Sequence, residues 1–336
     1  MLAEAREAPA AAARALQAGR ETLVSLGAEL RAAPPSSVLT VARGSSDHAA
    51  HYMAYLVMAR LGRLVTSLPM SLVTLYQSQL RCEGLLALAF SQSGQSPDLV
   101  APLQYVRAGG GRTVAVVNDD QSPLAQAAQW VLPLAAGPET SVAATKSYIA
   151  QLVQGAALVA HWQADAALIR ALDALPETLE QAAWADWQPL VETLAESRQL
   201  YVIGRGTGLA VAMEAALKFK EVCGLHAEAF SGAEVQHGPM ALIDDGWPLL
   251  VFAPRGPAQA GLLQLAAQMR ARGARVLLAA PAGTPGANLP LVTTAHEELD
   301  VIAAIQSFYP AVEALARARG RHPDRPPHLA KVTRTT

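Results

Sequence analysis

Residues 201–239 read YVIGRGTGLAVAMEAALKFKEVCGLHAEAFSGAEVQHGP. The apolar residues 201–203 have the composition of a buried strand. Gly204, Arg205, Gly206, Thr207 and Gly208 follow as a turn that a Gly-rich backbone makes easily, with N–H groups free to face an anion. Good helix formers then predict a helix from about 211 to 223. On it Glu214, Lys218 and Glu221 stand at i, i+4 and i+7 and share one face, for which a solvated row of Glu–Lys pairs is the plain alternative. Beyond the helix His226, Glu228, Glu234 and His237 crowd into 12 residues that end at His237-Gly238-Pro239. The stretch offers Glu221 and His237 as an acid/base pair and Lys218 beside an anion loop. Proton transfer on a sugar phosphate needs these residue types. As metal ligands His226, Glu228 and His237 are weak, because the first two alternate along an extended segment; no metal site is expected.

Working outward, the pattern of strand-length apolar runs occurs twice. The second half has 200–203, 248–253, 275–280 and 289–292; the first half has 37–42, 85–90, 113–117 and 131–133. Ala42 to Gly204 is an offset of 162, and Phe90 to Ala253 and Thr113 to Val276 are each 163. Three steady spacings predict an internal duplication of one α/β unit. Fully apolar strands alternating with helices predict parallel sheets covered on both faces, with ligands at the strand carboxyl ends. The expected fold is therefore α/β, with two tandem doubly wound, flavodoxin-like domains.

The loops at those strand ends differ between the halves. Arg43-Gly44-Ser45-Ser46 precedes a helix expected from about 48 to 61, and Ser91-Gln92-Ser93-Gly94-Gln95-Ser96 follows the next strand. Hydroxyls and backbone donors before a helix suit a phosphate, although a single Ser-rich turn is also an ordinary helix cap. The later counterpart, Ala253-Pro254-Arg255-Gly256-Pro257, has lost the hydroxyls. Phosphate is expected in the first half and the acid/base residues in the second.

Three pieces, Glu214-Ala-Ala-Leu-Lys218-Phe-Lys-Glu221, His226-Ala-Glu228-Ala and Glu234-Val-Gln-His237-Gly-Pro, together closely resemble one family. It is the isomerase half of glucosamine-6-phosphate synthase (glutamine–fructose-6-phosphate aminotransferase) and its relatives, built from sugar isomerase (SIS) domains. The resemblance implies phosphate grips at Gly44, Ser45, Ser46, Ser91, Gln92, Ser93 and Ser96. It also implies that the loop Glu139-Thr140-Ser141-Val142-Ala-Ala-Thr145-Lys146 lines the sugar site, with Val142 among the substrate contacts. Glu139 and Lys146 are catalytic candidates by type, but a structural or positioning role is expected. The closing Arg325-Pro326…His328-Leu329-Ala330-Lys331 resembles the synthase's last segment, whose lysine forms a Schiff base with the ketose. His328 stands where the synthase usually has asparagine.

The resemblance implies that Glu221 moves a proton between C1 and C2 and that His237, from a neighbouring subunit of a homodimer, opens the ring. Lys218 would stabilise developing charge, and Lys331 would form an imine or hold the open chain. No cofactor, metal or redox, is required. The opening Met1…Glu4…Glu7-Ala-Pro9 resembles the entry to the isomerase half, so no glutamine-hydrolysing domain is expected upstream. That makes glucosamine 6-phosphate to fructose 6-phosphate plus ammonia the expected reaction, as in stand-alone deaminases of this type. Another phosphosugar isomerase, aminotransferase or deglycase, and a non-catalytic sugar-phosphate sensor, are the alternatives. A dinucleotide oxidoreductase is disfavoured, because Gly204-x-Gly206-x-Gly208 is not the full fingerprint.

At 336 residues, the chain is long enough for two ordinary domains. Hydrophobic content of 51 % against 16 % charged residues supplies well-filled cores. A net charge of −2 with interspersed signs provides no footprint for nucleic acid or anionic membrane. Cys82 and Cys223 lie far apart without metal-type spacing, so a reduced cytoplasmic protein is expected. The N-terminus lacks signal-peptide character, and Gln151 and Gln154 break the apolar run near 148–162. The expected division is a helical segment 1–33, a first SIS domain 34–163, connecting helices 164–198, a second domain 199–320 and a tail 321–336 carrying Lys331.

Overall fold

A computed structural model describes residues 1–331, which fall into two compact units. The N-terminal unit comprises Ala10–Glu139, Lys146–Asp173, Ala330 and Lys331. The C-terminal unit comprises Met1–Pro9, Thr140–Thr145 and Ala174–Leu329. The spatial division therefore interleaves along the chain: residues 1–9 and 140–145 group with the later half, and Lys331 groups with the earlier.

The N-terminal unit holds most of helix α1 (Leu2–Ala32), then β1 (Ser37–Val41), α2 (Ser45–Leu61), β2 (Val65–Ser67), α3 (Ser71–Thr74) and β3 (Leu85–Ser91). After these come α4 (Pro97–Ala108), β4 (Arg112–Val117), α5 (Pro123–Ala127), β5 (Trp130–Pro133) and α6 (Lys146–Gln163). The five strands pair in parallel in the order β2-β1-β3-β4-β5. Burial explains their composition: every residue from Leu86 to Ser91 in β3 is buried, so no alternation of polar and apolar residues survives. Val41, Ala87, Ala89, Ala115 and Val117 pack with Leu99, Leu103 and Val106 of α4 on one face of the sheet. Helix α6 is buried almost throughout, and its two glutamines serve as internal ties. Gln154 donates to the carbonyls of Ala15 (2.8 Å) and Pro133 (2.7 Å), and Gln151 to the Ser46 hydroxyl (3.0 Å).

Helix α7 (Ala166–Ala182) carries Pro176 in its interior instead of ending there, and Asp173 and Ala174 divide between the units. The C-terminal unit continues with α8 (Gln188–Leu194), β6 (Gln199–Gly204), α9 (Thr207–Cys223), β7 (His226–Ser231), β8 (Pro248–Phe252), α10 (Gln259–Ala271), β9 (Arg275–Pro281), β10 (Leu289–Leu291) and α11 (Asp300–Ala318). Its parallel sheet has the order β10-β9-β8-β6-β7, the same succession as the first sheet when read from the other edge. Tyr201, Ile203, Leu249, Val251, Val276 and Leu278 form one face of its core against Leu262, Leu265 and Met269 of α10. The segment Glu297–Ala318 is long and apolar enough to cross a membrane by length and composition, but 89 % of its apolar window is buried inside the structure. It is a core helix of this unit. Cys82 and Cys223 are both free and buried, and burial pushes the Cys223 thiol up to about 12, leaving it a packing residue.

Glu4 fastens the 140–145 segment. Its Oε1 accepts from the Thr140 N–H (2.5 Å) and hydroxyl (3.2 Å) and from the Ser141 N–H (3.2 Å). The Ser141 hydroxyl donates to Asp324 (2.9 Å), the Val142 N–H donates to the Asp324 carbonyl (3.2 Å), and the Met1 ammonium reaches both Ser141 and Asp324. Burial raises the Glu4 carboxyl, but the Ser141 hydroxyl, the Ser141 and Thr140 N–H groups and the amino-terminal charge outweigh it and hold it at about 2. A depressed carboxyl stabilises the fold fully above its unfolded value, 4.5, and that contribution is lost as pH falls through about 2. Glu4→Gln is therefore expected to melt below the parent at neutral pH, with the gap closing below 4.5. A gap that does not change with pH would contradict this account.

Candidate functional site

In the order β2-β1-β3, chain direction reverses its progress across the sheet between β1 and β3, and the crevice outside their carboxyl ends is where open α/β sheets hold ligands. Here that crevice is a cavity of about 330 Å³. Arg43, Gly44 and Ser46 line it from the β1–α2 side; Ser91, Gln92, Ser93 and Ser96 from the β3–α4 side; Lys331 closes it from the tail.

The hydroxyls are prepared as donors. Ser46 Oγ accepts from the Gln151 carboxamide (3.0 Å), Ser91 Oγ from the Gly94 N–H (3.0 Å) and Ser93 Oγ from the Gln95 N–H (3.3 Å). A serine that accepts in this way keeps its own O–H to donate to an anion. Gly94 has φ +65°, and a Cβ there would lie 2.2 Å from Ser122 Oγ, so the tight turn excludes any other residue. Ser45 opens α2 and is not among the residues lining the cavity. Four residues not picked out as site residues from sequence belong to the cavity wall: Arg43, Phe90, Asp98 and Leu99. Arg43 Nε donates to the buried Asp98 Oδ2 (3.1 Å), and this pair joins the two loops. The only sequence signal for Arg43 was its place directly after a strand.

Lys331 Nζ lies 2.9 Å from Glu139 Oε2. Glu139 is itself fixed by the first turn of α6, accepting from the Ser147 hydroxyl (2.6 Å) and N–H (3.2 Å). The carboxylate therefore aims the lysine amine, and Lys146 beside it is buried at the start of α6. His328 has φ +65°, a left-handed conformation that asparagine adopts most readily among non-glycine residues, with histidine also tolerated. Val332 and the residues after it lie outside the described residues.

In the C-terminal unit, α9 starts at Thr207, four residues before the sequence pattern suggests, because Gly206 alone takes the left-handed turn (φ +61°). Its Glu214, Lys218 and Glu221 do share one face, but that face is not solvated. Lys218 Nζ lies 3.1 Å from Glu214 Oε1 and 2.7 Å from Glu221 Oε2; Glu214 and Lys218 are fully buried, while Glu221 remains 21 % exposed. Tyr309 of α11 adds a hydroxyl to Glu214 (3.4 Å). Burial lowers the Lys218 ammonium, yet the two carboxylates together carry it above its usual value. The lysine holds Glu221 in place from beneath. His237 ends a short turn, Glu234–Gln236, and is exposed; its ring makes no hydrogen bond among the described residues. His226 and Glu228 alternate on the exposed side of β7. Among the described residues no group of three or more His, Cys, Asp or Glu side chains is arranged to hold a metal ion. The structure thus gathers Gly44, Ser46, Ser91, Gln92, Ser93, Ser96 and Lys331 in one cavity and couples Lys218 to Glu221. Val142 has its N–H committed to Asp324.

Comparison with known proteins bears on both units. A family model described as SIS domain matches residues 33–161 and again 193–315. Glutamine–fructose-6-phosphate aminotransferase (isomerizing) of Zymomonas mobilis is 38 % identical over 252 residues, which is 72 % of this chain and 41 % of that protein. The enzyme of the same name from Thermus thermophilus is 33 % identical over 330 residues, 93 % of this chain and 54 % of that protein. The chain thus spans about half the length of the curated relatives it matches. Among solved structures, a protein of Silicibacter pomeroyi provisionally called a phosphosugar isomerase is 44 % identical with a TM-score of 0.91, covering 96 % of this chain and 99 % of that one.

Proposed function

Since this chain belongs to the SIS-domain family and carries the domain twice, we propose that it is a phosphosugar isomerase acting on amino-hexose 6-phosphates. Its reaction is glucosamine 6-phosphate plus water to fructose 6-phosphate plus ammonia. The observation that carries this reading is the hydroxyl-lined cavity with an amine in its wall: Ser46, Ser91, Ser93, Ser96 and Arg43 suit a phosphate, and Lys331 suits a carbonyl. The curated relatives, named for an isomerizing aminotransfer involving fructose 6-phosphate, add support.

In this scheme His237 transfers the proton that opens the pyranose. Its exposed, unbonded ring is consistent with service to a neighbouring subunit of a homodimer. Glu221 removes the proton from C2 of the open-chain aldehyde and returns it at C1, while a proton passes from the amino nitrogen to O1, so that C1 becomes an alcohol and the C2–N bond an imine. The Lys331 amine adds at C2 and the bond to the substrate nitrogen breaks, so that ammonia leaves; water then adds to the resulting lysine imine, the C2–Lys331 bond breaks, and the ketose is released with the amine restored. Lys331 exchanges with ammonia at that imine carbon; to attack it must first leave the Glu139 pair and shed a proton. Lys218 keeps Glu221 oriented.

An aldose–ketose isomerisation without nitrogen transfer is the second reading, favoured by the name of the 44 % identical relative. A coupled assay on glucosamine 6-phosphate, following ammonia and fructose 6-phosphate together, separates the two. Equal release of both is expected, and Lys331→Ala should lower it at least about a hundredfold, since the covalent route is lost. Lys331→Arg keeps the ion pair with Glu139 but cannot form an imine, and should be equally impaired. Sugar binding without ammonia release would move the assignment to the isomerase reading or to a sensor.

A further inference from the structure

The duplicated strand order gives the C-terminal unit its own crevice outside the carboxyl ends of β6 and β8, the counterparts of β1 and β3. The function proposed above makes no use of it. The crevice is a cavity of about 210 Å³, walled by Arg205, Gly232, Gln236, Gly261, Gln264 and Gln268 together with two leucines.

Arg205 is the repeat of Arg43, 162 positions on, and the glycines that follow them have matching backbones: φ 54°, ψ −133° at Gly44 and φ 61°, ψ −132° at Gly206. One difference decides the chemistry. Arg43 is paired with Asp98; the residue 163 positions after Asp98 is Gly261. The carboxylate is gone, and Arg205 is exposed with no hydrogen bond or ion pair among the described residues. No acidic residue lines the cavity, so the guanidinium charge there is uncompensated. Gln264 and Gln268 likewise make no side-chain hydrogen bond among the described residues, and Gln236 uses one N–H on the Gly232 carbonyl (2.9 Å). Carboxamide N–H groups take the place that serine hydroxyls occupy in the first unit.

We propose that this crevice is a second anion site, which takes a phosphoryl group as inorganic phosphate or as a phosphate monoester. A planar guanidinium with five donors, flanked by carboxamides and free of carboxylates, matches the oxygens of such a group. The cavity has room for the phosphoryl group and part of what it is attached to.

The test is a calorimetric titration of the full chain with inorganic phosphate. Two sites per chain are expected. In Arg205→Gln one of them weakens at least tenfold while the other is unchanged; in Arg43→Gln the reverse holds. Arg205 is exposed, so its replacement should leave the circular dichroism spectrum as in the parent. A single site in the parent, removed by Arg43→Gln, overturns the proposal, as does an Arg205→Gln titration that superimposes on the parent's. A second arm repeats the titration with fructose 6-phosphate present. Loss of the Arg205-dependent site assigns it to phosphate monoesters, and its persistence assigns it to free phosphate. Because the readout is a count of phosphates, failure of the catalytic assignment leaves this test intact.

Discussion

Lys218→Met is expected to lower folding stability by about 3–5 kcal/mol, the usual result of removing one partner from a buried ion pair. The substitution conserves shape, so packing is not the cause. Glu214 is fully buried and would lose the ammonium 3.1 Å away, while the Tyr309 hydroxyl stands at 3.4 Å. Glu221, 21 % exposed, can still reach water and accounts for less of the loss. Thermal and denaturant unfolding of the variant measure it. Should Lys218→Met not fold, Glu214→Leu with Lys218→Met removes both buried charges and is expected to regain most of the stability. If the pair is no better than the single change, buried charge is not the reason. The sign with pH follows from the raised ammonium: its contribution is complete below 10.5 and is lost as pH rises through the higher folded-state value. The alkaline limb of the parent's stability curve should flatten in Lys218→Met.

Glu221→Gln should reduce kcat by about 10²–10⁴ while leaving KM for the sugar phosphate within a few-fold. Glutamine keeps an oxygen to accept from Lys218 Nζ, so the 2.7 Å contact and the α9 surface persist. What it lacks is the ability to take a proton from C2. The serine-lined cavity proposed for phosphate contains no atom of Glu221, so binding should survive. Turnover within tenfold of the parent would remove Glu221 from the proton-transfer role.

Much of the architecture was legible because the duplication is written in spacing. Apolar runs placed eight of the ten strands among the described residues, six of them related by offsets of 162 and 163, and buried parallel strands are uniformly apolar, which makes them conspicuous. The two others are polar for a reason. β2 (Val65–Ser67) is a three-residue edge strand, and β7 (His226–Ser231), at the edge of the other sheet, showed only as an extended segment. Neither has the run of apolar side chains that a central strand requires. The face shared by Glu214, Lys218 and Glu221 follows from helical period alone. Its burial does not, because it depends on Tyr309 and the other residues of α11, nearly a hundred positions later. The serine loop could be recognised from hydroxyls before a helix. The Arg43–Asp98 tie and the pairing of Glu139 with Lys331, 192 positions apart, are products of topology and leave no local signature.

The Ser141–Asp324 bond spans 183 positions and closes a segment of the C-terminal unit. On a ribosome adding about 5–20 residues per second, Ser141 is made roughly 10–40 s before its partner. By then β1 to β5 and α6 are complete, so the first sheet can assemble while residues 140–145 still wait for the aspartate. A translational stall between residues 163 and 199 would leave a nascent chain with one finished sheet and an open clasp, and that is the species a chaperone or protease would meet.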